Sequence, residues 1–224
     1  MNPTIYFSIC SMFYCFLLIF KLRSIPDSGN VSKKILQILA LINLGNLFCE
    51  AIGIFLGGNY ERFKLINDIS LRLMLVLFIS WFTFYVIFVK NISLKNKSIE
   101  FKDNKIIYIT MLICLCLVVF LPMTYVTNDE GVIIYSTGMA VQVIYYHIIA
   151  CNIACLFMMF KNMKKVKLHN YSSLFALVIL STLCAAIQSR YPSILLISTS
   201  STFVLHMAYY NFIENHFFVK KEND

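Results

Sequence analysis

Apolar residues run in seven long blocks along this chain, at 4–22, 35–56, 69–89, 106–125, 137–160, 171–188 and 193–212. Each block is close to the roughly 20 residues that carry an α-helix across a bilayer. None keeps a strict alternation over about ten residues, which argues against a membrane β-barrel. With seven glycines and four prolines in the whole chain, most blocks can satisfy their backbone groups as unbroken helices, as a lipid solvent demands. The pattern therefore predicts an all-α membrane protein. Its expected architecture is a seven-transmembrane-helix bundle over residues 1–214 with a short tail at 215–224 and no catalytic output domain.

Two gaps carry local structure of their own. Residues 124–127 and 132–135 are β-prone runs around the turn Asn128-Asp129-Glu130-Gly131, which predicts a small hairpin over the outer mouth of the bundle between helices four and five. The gap from Ser189 to Pro192 is so short that the sixth and seventh helices must be antiparallel neighbours.

Charge then orients the blocks. Lys21, Arg23, Lys33 and Lys34 follow the first, Lys90, Lys95, Lys97, Lys102 and Lys105 the third, Lys161, Lys164, Lys165 and Lys167 the fifth, and Lys220 and Lys221 the last. That places fifteen of nineteen basic residues on one side, which the positive-inside rule makes cytoplasmic. The expected amino terminus is outside and the carboxyl terminus inside. Met1 to Phe7 carries no basic residue and no small-x-small cleavage site follows the first block, so that block reads as a retained helix rather than a secretory signal.

Composition supports the same solvent, since a surface drawn from 59% hydrophobic and 13% charged residues would be too apolar for water. The net charge of +8 does not indicate nucleic acid, because the cations lie in loops rather than on one basic face interleaved with stacking aromatics. All eight cysteines, at 10, 15, 49, 114, 116, 151, 155 and 184, fall inside apolar blocks. There they act as small apolar side chains rather than a disulfide framework.

Polar residues at membrane depth are the candidate chemistry. Asn43, Asn46 and Glu50 share one face of the second helix, continued by Gly53 and Gly57. Arg72 and Arg190 are in plausible reach of Glu50, and Gln142, Tyr145, Tyr146 and Gln188 fall near the same depth. The bland reading is a polar clasp between helices. The sharper one is a ligand pocket open to the outside, formed by Asn43, Asn46, Glu50, Arg72, Gln142, Tyr146, Gln188 and Arg190. His147, Cys151 and Cys155 also share a helical face and could ligate a soft metal, but a tetrahedral site needs ligands from another helix, so ordinary packing is expected there and no cofactor is implied. No nucleophile elbow accompanies Ser198 to Ser201, and there is neither a zinc-protease motif nor a phosphate loop. An enzyme is not expected. The last block lacks the lysine that retinal would need, and Pro122 and Pro192 mark helix ends rather than the central breaks common in transporters.

Three segments carry a resemblance: Ile5-Tyr6-Phe7-Ser8-Ile9-Cys10, Ile134-Tyr135-Ser136-Thr137-Gly138-Met139-Ala140-Val141 and Tyr191-Pro192-Ser193-Ile194-Leu195-Leu196. With Tyr209-Tyr210-Asn211-Phe212-Ile213-Glu214-Asn215, they resemble the seven-helix amino-terminal sensor region of a group of histidine kinases from Gram-positive gut and clostridial bacteria. In that family an Ile-Glu-Asn-Pro-Asp sequence leads into the signalling helix. Here Ile213, Glu214 and Asn215 are kept and His216 and Phe217 replace Pro-Asp. The resemblance implies a multi-pass sensory module of a bacterial plasma membrane, truncated before the kinase domains. It would detect an extracellular or membrane-borne signal and transmit it through helix seven, with Tyr210, Ile213, Glu214 and Asn215 as the transmitter. Its implied partners are the lipid bilayer, an unknown ligand and a cytoplasmic kinase module or homodimer partner. A small permease or export partner is the alternative expectation.

Overall fold

The computed structural model of the protein describes residues 4–25, 31–57, 60–94, 99–100, 102–129, 132–162, 168–192 and 196–211. Among them are seven helices: α1 Thr4–Ser24, α2 Val31–Gly57, α3 Tyr60–Leu94, α4 Lys105–Phe120, α5 Met139–Asn162, α6 Leu168–Arg190 and α7 Ile197–Tyr209. Strands β1 Thr124–Thr127 and β2 Ile133–Thr137 lie between α4 and α5. Every apolar block thus contains a helix, and no proline falls inside any of the seven helices, as an unbroken backbone ladder requires.

The helices differ in length more than the blocks do. Four are long and apolar enough to cross a membrane, over Ile5–Ser24, Val31–Gly57, Arg62–Ser93 and Met139–Asn162. The fourth block was expected to span 106–125, but α4 ends at Phe120 after 16 residues, about 24 Å against a hydrocarbon core of about 30 Å. Pro122 is the reason: its ring pushes the preceding residue out of the helical region, and Leu121 is extended (φ −73°, ψ 149°). The described part of α7 has 13 residues. At the other extreme α3 runs for 35 residues, bent at Phe63 (φ −118°, ψ 22°).

Packing is organised around α3, which lies against α2, α4 and α5, while α7 contacts α1, α2 and α6. The bulkiest fully buried side chains, Trp81, Phe82, Tyr85 and Phe88, all belong to α3, and the Trp81 and Tyr85 rings stack at 5.4 Å. Glycines let α2 approach closely: a Cβ at Gly45 would sit 3.2 Å from a Leu77 methyl, and one at Gly53 would sit 3.2 Å from a Leu71 methyl. Large side chains left on the outside, among them Phe13, Phe48, Ile113, Phe157 and Phe203, form the apolar exterior that a lipid solvent favours.

The hairpin forms with one difference in register. Tyr125 pairs with Ser136 and Val126 with Tyr135, with an irregularity between Val126 and Thr127. Val132, expected in the second strand, instead closes the turn. Its N–H donates to Asn128 Oδ1 (2.8 Å) and its carbonyl accepts from Asn128 N–H (3.0 Å), the side-chain mimicry that suits asparagine to turns. Gly138 (φ +107°) joins β2 to α5. A Cβ there would meet the Pro122 carbonyl oxygen at 3.0 Å, so glycine is required both by conformation and by space.

Candidate functional site

Beneath the hairpin lies a cavity of about 420 Å³, within the range of roughly 300–1,000 Å³ typical of small-molecule sites. Six helices supply its walls: Ile5 of α1, Glu50 and Ile54 of α2, Leu71 to Phe78 positions of α3, Ile144 and Tyr145 of α5, Gln188 of α6 and Ile197 of α7. The roof is residues 132–136 of the hairpin. Helix starts from α1, α3, α5 and α7 therefore meet helix ends from α2 and α6 at one end of the bundle.

Glu50 is 3% exposed and is held from two sides. Ser8 of α1 donates to Glu50 Oε1, and Ser198 of α7 donates to Oε2 at 2.5 Å. About two turns away on the same α2 face, Asn43 Nδ2 donates to Thr202 Oγ1 of α7 at 2.8 Å. The stripe recognised in the sequence is thus a seam joining α2 to α1 and α7. Between these two contacts Asn46 is fully buried, and neither its Nδ2 nor its Oδ1 has a hydrogen-bond partner among the described residues.

The remaining candidate residues separate. Gln188 lines the cavity, and its Oε1 accepts from the N–H groups of Leu196 (2.8 Å) and Ile197 (2.9 Å). It therefore satisfies donors that a helix amino terminus leaves unpaired. Arg72 does not meet Glu50. Its Nη1 donates to the carbonyls of Val118 (2.8 Å), Val119 (3.1 Å) and Leu121 (3.2 Å), where the negative end of the α4 dipole favours a cation. Gln142, Tyr146 and Arg190 are exposed. On α5 it is Tyr145 that enters the cavity wall, since one residue rotates a side chain about 100° around a helix. Tyr210 is 49% exposed; Ile213, Glu214 and Asn215 lie outside the described residues.

Sequence reasoning missed Ser8 and Ser198 as partners of Glu50. Ser198 was visible only as part of a serine run, and nothing local in the chain links either hydroxyl to a carboxylate on another helix. At the other polar cluster, His147 Nε2 is 3.3 Å from Thr83 Oγ1 and 3.5 Å from Cys151 Sγ. Among the described residues no three His, Cys, Asp or Glu side chains are grouped to hold a metal. Chemically, then, the hairpin end of the bundle offers an apolar chamber whose wall includes the Glu50 carboxyl group, hydrogen-bonded to two different helices. No family model, curated protein or solved structure matches the chain.

Proposed function

We propose that this chain is a sensory module of a bacterial plasma membrane, resembling the input region of a histidine kinase, with seven spans, an outside amino terminus and a cytoplasmic carboxyl terminus. The single observation that supports it best is that the cavity wall contains Glu50, whose two oxygens are bonded by Ser8 of α1 and Ser198 of α7. A ligand touching this carboxyl competes with or reorients bonds that hold α7, the element expected to face a cytoplasmic kinase module or a second copy of the chain. Such a ligand shifts the arrangement of helices by its difference in affinity for two arrangements.

Fusing the chain to the dimerisation and ATPase modules of a working histidine kinase tests the reading. Autophosphorylation of the fusion should change with extracellular or membrane-borne compounds, and Ile54→Trp, which fills the cavity, should abolish the change. Ligand-dependent flux through proteoliposomes without any change in kinase output would instead assign a permease. Reporter fusions after Phe63, Asp129 and Tyr191 should behave as external, and those after Lys97, Lys165 and Asp224 as internal; a cytoplasmic signal at Asp129 would refute the orientation.

A further inference from the structure

Resting on the reading of the cavity as a ligand site, we infer that its ligand is a cationic amphiphile: an amine whose charged nitrogen meets Glu50 and whose apolar body fills the chamber. Among the described residues, Glu50 is the one charged residue lining the cavity. Its hydrogen-bond partners there are the hydroxyls of Ser8 and Ser198, so the described residues supply dipoles to the carboxylate but no countercharge. An ionised carboxylate has about four lone-pair positions, and the two serines occupy two. The others remain for a donor arriving through the cavity, and an ammonium is the donor that also cancels a charge that is costly at this depth.

The rest of the wall selects against other classes. Ile5, Ile54, Leu71, Met74, Leu75 and Ile144 are aliphatic or thioether side chains, which disfavour a sugar or a polyol whose hydroxyls would lose their water. An anion would face Glu50 with no cation among the described wall residues to receive it. Aromatic residues Phe55, Phe78, Tyr135 and Tyr145 also line the chamber, and aromatic faces attract amine cations. Charge, polarity and ring content therefore point to the same ligand chemistry. Volume sets the scale, since about 420 Å³ suits a small amine rather than a peptide or a whole phospholipid.

The full chain in lipid nanodiscs can be titrated with a panel of primary amines, from pentylamine to decylamine with 2-phenylethylamine, each paired with the alcohol of the same skeleton. Pairing cancels simple partitioning into lipid, and empty nanodiscs are subtracted. At least one amine should bind about tenfold or more tightly than its alcohol, the factor corresponding to ~1.4 kcal/mol of charge-assisted pairing. Glu50→Gln should remove that preference while leaving alcohol affinity unchanged, and Glu50→Asp, which keeps the charge, should retain part of it. The unfolding midpoint of each variant without ligand shows that the fold is intact, and Glu50→Asp carries the test if Glu50→Gln does not fold. Ile54→Trp should weaken amine and alcohol alike. Equal binding of amines and alcohols, both lost in Ile54→Trp, would overturn the cationic preference and leave the cavity as a ligand site. Binding insensitive to Ile54→Trp, or no binding of any pair, would overturn the inference together with the cavity reading.

Discussion

Deleting the two hydroxyls that meet Glu50 should damage the bundle more than deleting Glu50 itself. Ser8 and Ser198 are 0% and 1% exposed, so neither is replaced by bulk water once removed. A buried acceptor left without a donor costs about 1–3 kcal/mol, so Ser8→Ala with Ser198→Ala should cost about 2–6 kcal/mol. Glu50→Leu leaves two neutral hydroxyls instead of an unpaired charge, and Ser8, inside α1, can turn its hydroxyl onto a carbonyl three or four residues back. Ser200 and Ser201 already do so, both donating to the Ile197 carbonyl at 2.9 and 2.8 Å. A carboxylate has no such recourse. Adding Glu50→Leu to the double serine variant should therefore recover about 2 kcal/mol or more, because it removes the orphaned acceptor and a charge that is costly in the membrane. The measurement is reversible unfolding by sodium dodecyl sulfate in mixed micelles, followed through the fluorescence of Trp81, the one tryptophan in the chain. A triple variant no more stable than the double serine variant would refute the reasoning. So would single-variant costs that simply add within about 0.5 kcal/mol, the behaviour of sites that share no interaction.

Three further outcomes are expected from the same unfolding assay. Arg72→Leu strips the donor from the Val118, Val119 and Leu121 carbonyls and should lower stability by about 2–3 kcal/mol, with Arg72→Lys recovering part; an unaffected Leu variant would mean that α4 does not depend on this contact. Gly138→Ala forces a Cβ toward the Pro122 oxygen at φ +107° and should cost about 1–3 kcal/mol, whereas a neutral result would show the hairpin base rearranging freely. Asn46→Leu should be neutral or stabilising by about 1–2 kcal/mol, since its buried amide lacks a partner among the described residues and an apolar side chain of similar size removes that penalty. Marked destabilisation would reveal a polar contact essential to the seam.

The amino-acid sequence by itself determined what depends on neighbours along the chain. The apolar blocks predict where helices form, the Asn128 turn predicts a hairpin, and spacing alone puts Asn43, Asn46 and Glu50 on one face, because helical periodicity is a local property. Even Pro122 foretells the early end of α4, although hydropathy masks it by continuing apolar through to Tyr125. What only tertiary structure decided is the meeting of side chains far apart in the chain. Glu50 finds hydroxyls 42 residues before it and 148 after it, while Arg72, the cation of opposite charge closer in sequence, is drawn to the α4 carbonyls instead. Tyr145 rather than Gln142 or Tyr146 reaches the cavity for the same reason. How far each helix rotates about its own axis is set by close packing against several others at once, and a rotation of about 100° exchanges a buried residue for an exposed one.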